Sequence, residues 1–292
     1  MNETPTDQSR RQDNSVKPHP WAVLYIAMQR LWADEAVSLS GNIAFRTLFS
    51  AFPFLIFLTA LGAYFGDEAL ADGLIQFLFS VGPAEVIAPL AKEVNLILTT
   101  PRTDLVSIGF LITIWAAMAG VDSVRIGLNR AYNVRERRNW MALYGLSVLF
   151  VIATAFVLLA LSVLIVVAPI TMAFIGRHAP QMRDVMVVFS LVRYPVTILL
   201  LTGTLTAAHF WLPAKRLRLT DVLPGVILTV ATWIVLASVY SYYLANFGNF
   251  ASFYAGLSGV FAALFFLYLA ALVLLLGGEM NRVIMLRKPR RH

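Results

Sequence analysis

Long apolar runs, separated by short polar segments, fill most of the chain after residue 46. A helix needs about 20 mainly apolar residues to cross a bilayer, because each residue rises about 1.5 Å and the hydrocarbon layer is about 30 Å thick. Measured against that length, the charge-poor runs predict six membrane spans. The predicted spans are residues 47–66, 105–121, 140–167, 194–212 (185–212 if Arg193 lies inside), and two helices within 222–278 that a polar and aromatic patch at 246–252 separates.

Further segments have helical periodicity but do not span. One precedes the first span and has an apolar face rich in aromatic residues: Trp21, Leu24, Tyr25, Met28, Leu31 and Trp32. This face predicts an amphipathic helix at the membrane interface. In the first outer loop, 67–104, two apolar stripes predict two short amphipathic helices that rest on the outer leaflet or dip into it. Residues 120–140 continue the helix of the second span into the cytoplasm.

The predicted fold class is therefore all-α: a polytopic membrane helical bundle with six transmembrane helices plus amphipathic interfacial helices. Residues 21–285 form one six-helix transmembrane domain, since no long repeat or strand pattern divides them. Residues 1–20 contain no apolar run and predict a disordered cytoplasmic tail. Residues 286–292 form a short basic cytoplasmic tail.

The composition agrees with a chain that faces lipid. Hydrophobic residues make up 59% of the 292 residues, charged residues make up 13%, and the mean hydropathy is +0.74. Soluble globular chains carry roughly a quarter charged residues. Most of the surface of this chain is therefore expected to face acyl chains instead of water.

The basic residues orient the predicted spans. The net charge is +7, and 18 of the 23 Lys and Arg residues lie before the first span, after the sixth, or in the loops after the second and fourth. The positive-inside rule then places both termini and the even-numbered loops in the cytoplasm. In a soluble protein the arginine excess would indicate nucleic acid, but in a membrane protein it reports topology and contact with anionic headgroups. We expect membrane lipids as partners and no nucleic acid.

No sequence pattern for catalysis, metal binding or cofactor binding is present. The chain has no cysteine, and its four histidines are scattered without ligand spacing. His209, beside Phe210 and Trp211, is interpreted as a membrane-interface residue, with a proton relay as the alternative. The chain also lacks a P-loop, a G-x-S-x-G elbow and an H-E-x-x-H motif. We therefore expect no catalytic residues, no metal, no cofactor and no enzymatic activity.

Polar side chains at membrane depth are costly, so they are the first candidates for function. Asp122, Arg125 and Asn129 lie close to one helical face at the cytoplasmic end of the second span. Glu279 and Asn281 close the sixth span. These five residues are substrate-binding candidates, interpreted as a polar group near the inner face that binds an anionic headgroup or passes a proton. In the alternative, Asp122 pairs with Arg125 and Glu279 pairs locally, which holds helix ends in register.

Arg193, near the outer end of the fourth span, is the remaining substrate-binding candidate. Together with Tyr194 it fits either an outer-leaflet phosphate or an interfacial anchor. Gly256 and Gly259 lie beside the predicted break between the last two spans and are hinge candidates. Pro53 predicts a kink that neighbouring helices tolerate.

Several stretches together resemble the YihY/virulence factor BrkB family of bacterial inner-membrane proteins, which has also carried the name ribonuclease BN. The resemblance covers nearly the whole chain and is carried by residues 43–66 (IAFRTLFSAFPFLIFLTALGAYFG), 120–139 (GVDSVRIGLNRAYNVRERRN), 223–225 (LPG) and 254–282 (YAGLSGVFAALFFLYLAALVLLLGGEMNR). The family's recurring positions correspond to Pro53, Gly120, Leu128, Asn129, Arg130, Ala131, Tyr132, Pro224, Gly225, Tyr254, Gly278, Glu279 and Asn281. Arg46 and the run Tyr254-Ala255-Gly256 depart from the family's pattern.

The resemblance implies a protein of the bacterial inner membrane associated with envelope lipid handling or export, in which Pro224 and Gly225 are structural or hinge positions. The leading hypothesis is a transporter or flippase-like protein for an envelope lipid or another amphiphile. One alternative is a non-transporting scaffold that docks envelope or lipid-transfer proteins. A membrane-bound ribonuclease is the least favoured, since the residues for that chemistry are missing and the ribonuclease name looks like a misassignment.

Overall fold

The computed structural model describes residues 20–65, 103–167, 183–247 and 257–287. These residues form seven α-helices: α1 (Pro20–Ala33), α2 (Ala36–Phe65), α3 (Thr103–Ala131), α4 (Trp140–Ser162), α5 (Arg183–Trp211), α6 (Leu219–Phe247) and α7 (Leu257–Arg287). A π-helical turn, Val163–Val167, extends α4. No strand occurs in the described ranges, and the all-α prediction is confirmed.

Five of these helices are long and apolar enough to cross a membrane. The candidate spans are Gly109–Ala131 on α3, Trp140–Ile165 on α4, Leu191–Trp211 on α5, Leu219–Tyr243 on α6 and Gly259–Arg287 on α7. Each of the second to sixth predicted spans therefore coincides with a long apolar helix. The first predicted span, 47–66, falls on α2, a 30-residue helix with Pro53 inside it. A total of six spans stays a prediction.

Most helix ends agree with the polar signals in the sequence, but the predicted helical continuation over 120–140 is wrong beyond Ala131, where α3 ends and the chain turns. The third predicted span, 140–167, matches α4 and its π-helical turn, which together end at Val167. Asn139 caps the start of α4, because its side-chain oxygen accepts a hydrogen bond from the backbone N–H of Ala142 at 2.9 Å. Helix α5 begins at Arg183, and its candidate span, Leu191–Trp211, includes Arg193, as in the longer of the two predicted ranges.

The central helix of the bundle is α7. It packs against α1, α2, α3 and α6, while α5 packs on α6 and α4 packs on α3. The most extensive contact joins α2 and α3, where Arg46 donates from Nη1 to the carbonyl oxygen of Ala119 at 3.3 Å and from Nε to Asn42 at 3.0 Å. Hydrogen bonding compensates the guanidinium for its partial burial.

The first helix, α1, forms where the apolar periodicity predicts a helix. Leu31 is buried against the bundle, whereas the aromatic side of the helix is exposed and carries Trp21, Tyr25, Met28 and Trp32. Aromatic side chains of this kind settle at membrane interfaces. The two amphipathic helices predicted within 67–104 lie almost entirely outside the described residues.

Burial is concentrated at one end of the bundle. We call it the arginine-rich end, because it carries Arg125, Arg130, Arg138, Arg216, Arg218 and Arg282. The buried apolar core lies here, where the ends of α1, α3, α5 and α7 meet the starts of α2 and α6; it includes Leu31, Ala36, Ile43, Leu128, Leu212, Val222, Val226 and Leu275. The buried share also differs between helices: 6% of the α4 span and 6% of the α5 span are buried, against 39% of the α3 span. Away from the arginine-rich end, α5, α6 and α7 expose apolar side chains such as Leu191, Val235 and Phe261, whereas α4 is exposed along most of its length.

Candidate functional site

A sharp turn after α3 folds the connection to α4 back onto the bundle. Asn133 has a φ of 52°, the left-handed conformation that asparagine tolerates after a helix. The backbone N–H of Val134 donates to the carbonyl oxygen of Asn129 at 2.8 Å and closes the last turn. This reversal places Glu136 next to Arg125 and Asn129 on α3.

Glu136 is the centre of the first polar group, which we call the Glu136 network (Asp122, Arg125, Asn129, Glu136 and Arg138). Its Oε2 accepts from Arg125 Nη1 at 2.8 Å, from Asn129 Nδ2 at 3.1 Å and from Arg138 Nη2 at 2.8 Å. Its Oε1 accepts from Arg138 Nε at 2.9 Å and from the backbone N–H groups of Arg137 and Arg138, each at 3.1 Å. One carboxylate therefore fixes two guanidinium groups and the local backbone.

Through Arg138 and Asn129, the Glu136 network reaches the end of α5. Arg138 donates to the carbonyl oxygens of Leu212 at 2.6 Å and Trp211 at 3.2 Å, which are among the last acceptors of that helix. The side-chain oxygen of Asn129 accepts from the backbone N–H of Ala214 at 2.8 Å. The loop after α5 is thus fixed by side chains from α3 and the α3–α4 connection.

Asp122 connects the same network to α4. Its Oδ1 accepts from Arg125 Nε at 3.2 Å and from the hydroxyl of Ser147 at 3.1 Å. The side chain of Arg125 is almost fully buried and lies between the carboxylates of Asp122 and Glu136. A buried cation with two anionic partners is stable in place, whereas the loss of one partner would leave it poorly compensated.

Hydrogen bonds from Arg138 hold the pKa of Glu136 well below its ordinary value, and partial burial opposes them. We expect Glu136→Gln to lower the unfolding free energy at neutral pH by about 2 kcal/mol, because charge-assisted hydrogen bonds are lost. The pKa of Glu136 is lower in the folded state than its ordinary value of 4.5. Its contribution to the stability of the fold is therefore complete above about pH 4.5 and is lost as the pH falls below that value. The difference in melting temperature between wild type and variant should therefore shrink below about pH 4.5.

Thermal unfolding of the detergent-purified protein across a pH series measures this difference. Glu35→Gln is the matched control, because it makes the same change at an exposed carboxylate. A Glu136→Gln effect that is as large in acid as at neutral pH, or no larger than that of the control, contradicts the role given to Glu136.

Asn281 is the centre of a second group, the Asn281 network, which is uncharged and buried. The Asn281 side chain is 0% exposed. Its Nδ2 donates to the Tyr132 hydroxyl at 3.0 Å and to the carbonyl oxygen of Val222 at 2.9 Å, and its Oδ1 accepts from the backbone N–H of Gly225 at 2.6 Å. The Tyr132 hydroxyl also lies 2.8 Å from His209 Nδ1. Side chains and backbone of α5, α6, α7 and the end of α3 meet here.

The backbones of α6 and α7 touch beside this network. A Cβ atom on Gly225 would fall on the carbonyl oxygen of Gly277 and lie 2.6 Å from Asn281 Cγ. A Cβ atom on Gly277 would lie 2.7 Å from the carbonyl oxygen of Gly225 and would fall on the Thr229 hydroxyl. Only glycine leaves room for helix backbones to approach this closely.

A third group, which we call the Glu279 site, consists of Asp34, Arg130, Glu279 and Arg282. Asp34, in the turn between α1 and α2, accepts from Arg282 Nη1 at 2.7 Å and lies 3.8 Å from Arg130 Nε. Glu279 is 1% exposed, and its Oε2 is 3.7 Å from the same Arg282 Nη1. Within the described part of the chain, neither carboxylate oxygen of Glu279 has a hydrogen-bond partner.

The structure divides the predicted polar candidates among these three groups. Asp122, Arg125 and Asn129 belong to the Glu136 network, Asn281 forms the centre of its own network, and Glu279 lies in the third group. The pairing of Asp122 with Arg125 is present at 3.2 Å, as the structural alternative predicts. All three groups lie at the arginine-rich end, on different sides of the helix ends they connect.

Arg193 lies apart from the other candidates. Its guanidinium carbon is 4.5 Å from the ring centre of Tyr194, and its Nη2 donates to the Tyr194 hydroxyl at 2.6 Å. Sixteen residues of α5 separate it from His209, which is about 24 Å of helix. Arg193 therefore belongs to the opposite half of the bundle.

The hinge candidates lie in different environments. Pro53 is inside α2 and Pro224 is inside α6. Gly225 is at the close contact of α6 with α7, which favours a fixed packing role. Gly259 is exposed with nothing within 4 Å of a Cβ position, and Gly256 lies outside the described residues.

Sequence patterns did not single out Asp34, Glu136 or Arg138. Charges at the ends of spans look like ordinary topology signals, although one acid within the run Arg135 to Arg138 was a usable hint. The interpretation of His209 as a membrane-interface residue is wrong, because the side chain is 0% exposed and belongs to the Asn281 network. Its position directly before Phe210 and Trp211 concealed this role.

Across the described ranges, no group of three or more His, Asp or Glu side chains is arranged to hold a metal ion. The chemistry that the three groups offer is hydrogen bonding, cation–carboxylate pairing and proton exchange. The described structure thus defines a polytopic α-helical membrane protein whose helix ends are joined by buried polar networks. A family model described as virulence factor BrkB matches residues 27–292, and the chain belongs to this family.

Named relatives span most of the chain. It is 29% identical to the putative ribonuclease-like protein YfkH of Bacillus subtilis (strain 168), over 89% of this chain and 94% of that protein. It is 23% identical to a UPF0761 membrane protein of Tolumonas auensis, over 90% of this chain and 88% of the relative, and 24% identical to one of Aliivibrio fischeri (strain MJ11), over 89% and 82%. No solved structure matches the chain.

Proposed function

We propose that this protein transports an amphiphile, most simply a membrane lipid, across or between the leaflets of the bacterial inner membrane, and that it is not an enzyme. The observation that carries the proposal is the asymmetry of burial along the helices. Transporters alternate between states in which one end of a helix bundle is closed and the other is open. Tight packing at the arginine-rich end and exposed apolar surface on the other half of α5, α6 and α7 match one such state.

The polar groups fit the needs of an amphiphile. A headgroup that leaves the aqueous phase must be paired or hydrated, and guanidinium groups bind phosphates and carboxylates well. Arg125, Arg138 and Arg282 lie at the closed end and Arg193 lies in the other half, so cationic groups occur at two depths. Acyl chains can lie against the apolar faces of α4 and α5, which extend between these two depths.

Reconstitution into liposomes tests the proposal. We expect the full-length protein to accelerate the exchange of a fluorescent anionic phospholipid between leaflets, measured by chemical quenching of the outer leaflet. Arg193→Gln should slow the exchange, whereas Thr204→Val should not, because that hydroxyl bonds only within its own helix in the described contacts. Exchange at the protein-free rate, for anionic and zwitterionic lipids alike, removes the proposal.

The orientation that we propose places the arginine-rich end and both termini in the cytoplasm. Because the chain has no cysteine, single cysteines report the side of the membrane without background. Arg137→Cys and Lys215→Cys, both at exposed positions, should react with a membrane-impermeant maleimide in inside-out vesicles but not in intact spheroplasts. Arg177→Cys, in a predicted outer loop, should show the reverse. Labelling of Arg137→Cys in intact spheroplasts contradicts this topology.

A scaffold is the second candidate, favoured by the exposed side chains of Arg135 and Arg137 beside the Glu136 network. These cations are available to an acidic partner protein. The double change of both arginines to glutamate should then abolish crosslinking to that partner without altering lipid exchange.

To test for the activity in the name of the Bacillus relative, the purified protein is incubated with RNA and Mg²⁺. We expect the RNA to stay intact.

A further inference from the structure

We propose that Glu279 is a proton-binding site, which takes up and releases a proton through Asp34 at the arginine-rich end. The inference concerns a second ligand, H⁺, and does not require that a lipid moves. It starts from the burial of Glu279, a carboxylate inside the bundle without hydrogen-bond donors from the described residues. An isolated ionised carboxylate is far more costly to bury than the neutral acid, so this environment favours the protonated form.

The cation nearest to Glu279 is Arg282, which donates its hydrogen bond to Asp34 and not to Glu279. Arg282 Nη1 donates to Asp34 at 2.7 Å, whereas its distance to Glu279 Oε2 is 3.7 Å, beyond hydrogen-bond length. Arg130 reinforces the preference, because its Nε lies 3.8 Å from the Asp34 carboxylate and donates to the Asp34 carbonyl oxygen at 3.4 Å. Asp34 therefore accepts the hydrogen bond of Arg282 and has Arg130 nearby, whereas Glu279 keeps only a longer ion pair with Arg282.

Asp34 gives the proton a route to water. Its side chain is 21% exposed, and it shares one guanidinium nitrogen with Glu279. A proton that arrives on an Asp34 oxygen from water moves to a Glu279 oxygen, one O–H bond breaking as the other forms, and Asp34 returns to its ionised, paired state. Release follows the same steps in reverse.

The other charged and titratable groups near Glu279 come from the elements that pack on α7. They are Arg30 on α1, Asp34 before α2, Arg130 at the end of α3, Tyr132 directly after it, and His209 at the end of α5; Asp221, at the start of α6, interacts with Tyr132. Of these, Tyr132 and His209 belong to the Asn281 network. When Glu279 loses its proton, Arg282 can turn from Asp34 to Glu279, and this loosens the contact of α7 with the α1–α2 turn.

Infrared difference spectroscopy of the full-length protein in lipid nanodiscs tests the proposal. We expect a carbonyl band of a protonated carboxylic acid that disappears as the pH is raised and that is missing in Glu279→Gln, which keeps the shape of the side chain. Asp34→Asn should make the band disappear at lower pH, because Arg282 is then free to pair with Glu279. Glu35→Gln is the matched control and should leave the band unchanged, since that carboxylate is exposed.

A band that survives in folded Glu279→Gln, or the lack of any titrating acid band in the wild type, overturns the proposal. If Glu279→Gln does not fold, Glu279→Asp is measured instead, and the proposal predicts that the frequency of the carbonyl band shifts. An unchanged band in Glu279→Asp overturns the proposal. In liposomes the proton site predicts that exchange responds to an imposed pH gradient in the wild type but not in Glu279→Gln. Only this response to a pH gradient rests on the proposed transport function. If no lipid exchange is observed, the transport proposal is contradicted, and the infrared result still decides whether Glu279 binds a proton.

Discussion

Gly225→Ala should cause the largest loss of stability among single methyl additions in this protein. The new Cβ would fall on the carbonyl oxygen of Gly277 and lie 2.6 Å from the Asn281 side chain, so α6 and α7 would have to separate. Overpacking against backbone costs about 3 kcal/mol, and here the Gly225 to Asn281 hydrogen bond is strained as well. The expected result is a markedly lower melting temperature in detergent and reduced yield of folded protein.

Gly203→Ala is the matched control. Gly203 is also within a helix, but nothing lies within 4 Å of its Cβ position. Alanine is a better helix former than glycine by about 1 kcal/mol, so this variant should be as stable as the wild type or more so. Gly277→Ala should resemble Gly225→Ala. If Gly225→Ala and Gly203→Ala change the melting temperature alike, the close crossing of α6 and α7 does not exist.

Asn281→Leu is expected to have the second large effect, of about 3 kcal/mol or more. It removes the Asn281 contact of three groups at this buried position: the carbonyl oxygen of Val222, the backbone N–H of Gly225 and the Tyr132 hydroxyl, which keeps its contact with His209. A buried polar group without its partner costs about 1–3 kcal/mol. The two side chains have the same number and branching of heavy atoms, but leucine is larger, so comparison with Tyr132→Phe is needed to separate hydrogen bonding from packing.

Thermal unfolding of Asn281→Leu, Tyr132→Phe and the double variant measures the coupling. Both single changes remove the same hydrogen bond, so the double variant should lose less than the two losses combined. Thr204→Val is the control for removal of a hydrogen-bonding group inside one helix. Additive losses, or an Asn281→Leu loss as small as that of the control, contradict the central role of Asn281.

The two sites with these large effects lie at the end of the bundle where we place closure. The contact of α6 with α7 and the Asn281 network fix four helix ends relative to one another. A conformational cycle would therefore open this end only if these polar contacts broke at the same time. Interfaces that switch between two discrete arrangements behave in this way. The Glu279 site lies next to this contact and offers a charge change that biases it.

The sequence by itself determined which apolar segments become helices, although it did not indicate that α3 ends at Ala131. Acyl chains tolerate only backbone that is hydrogen-bonded within its own segment, so an apolar run of sufficient length has one stable local form. Residues 140–167 illustrate this, since the predicted span coincides with α4 and its π-helical turn. The cap at Asn139 involves only residues close together in the chain, so local sequence preferences are sufficient to predict it.

Apart from local pairs such as Asp122 with Arg125, tertiary structure decided which polar residues meet. Glu136 contacts Arg125 because Asn133 adopts a left-handed conformation, and Asp34 contacts Arg282, 248 residues away along the chain, because α1 packs on α7. His209 is buried because α5 docks on α6 with that face inward. These contacts depend on the rotation and depth of each helix, which are set by packing against neighbours that a periodic apolar pattern does not identify.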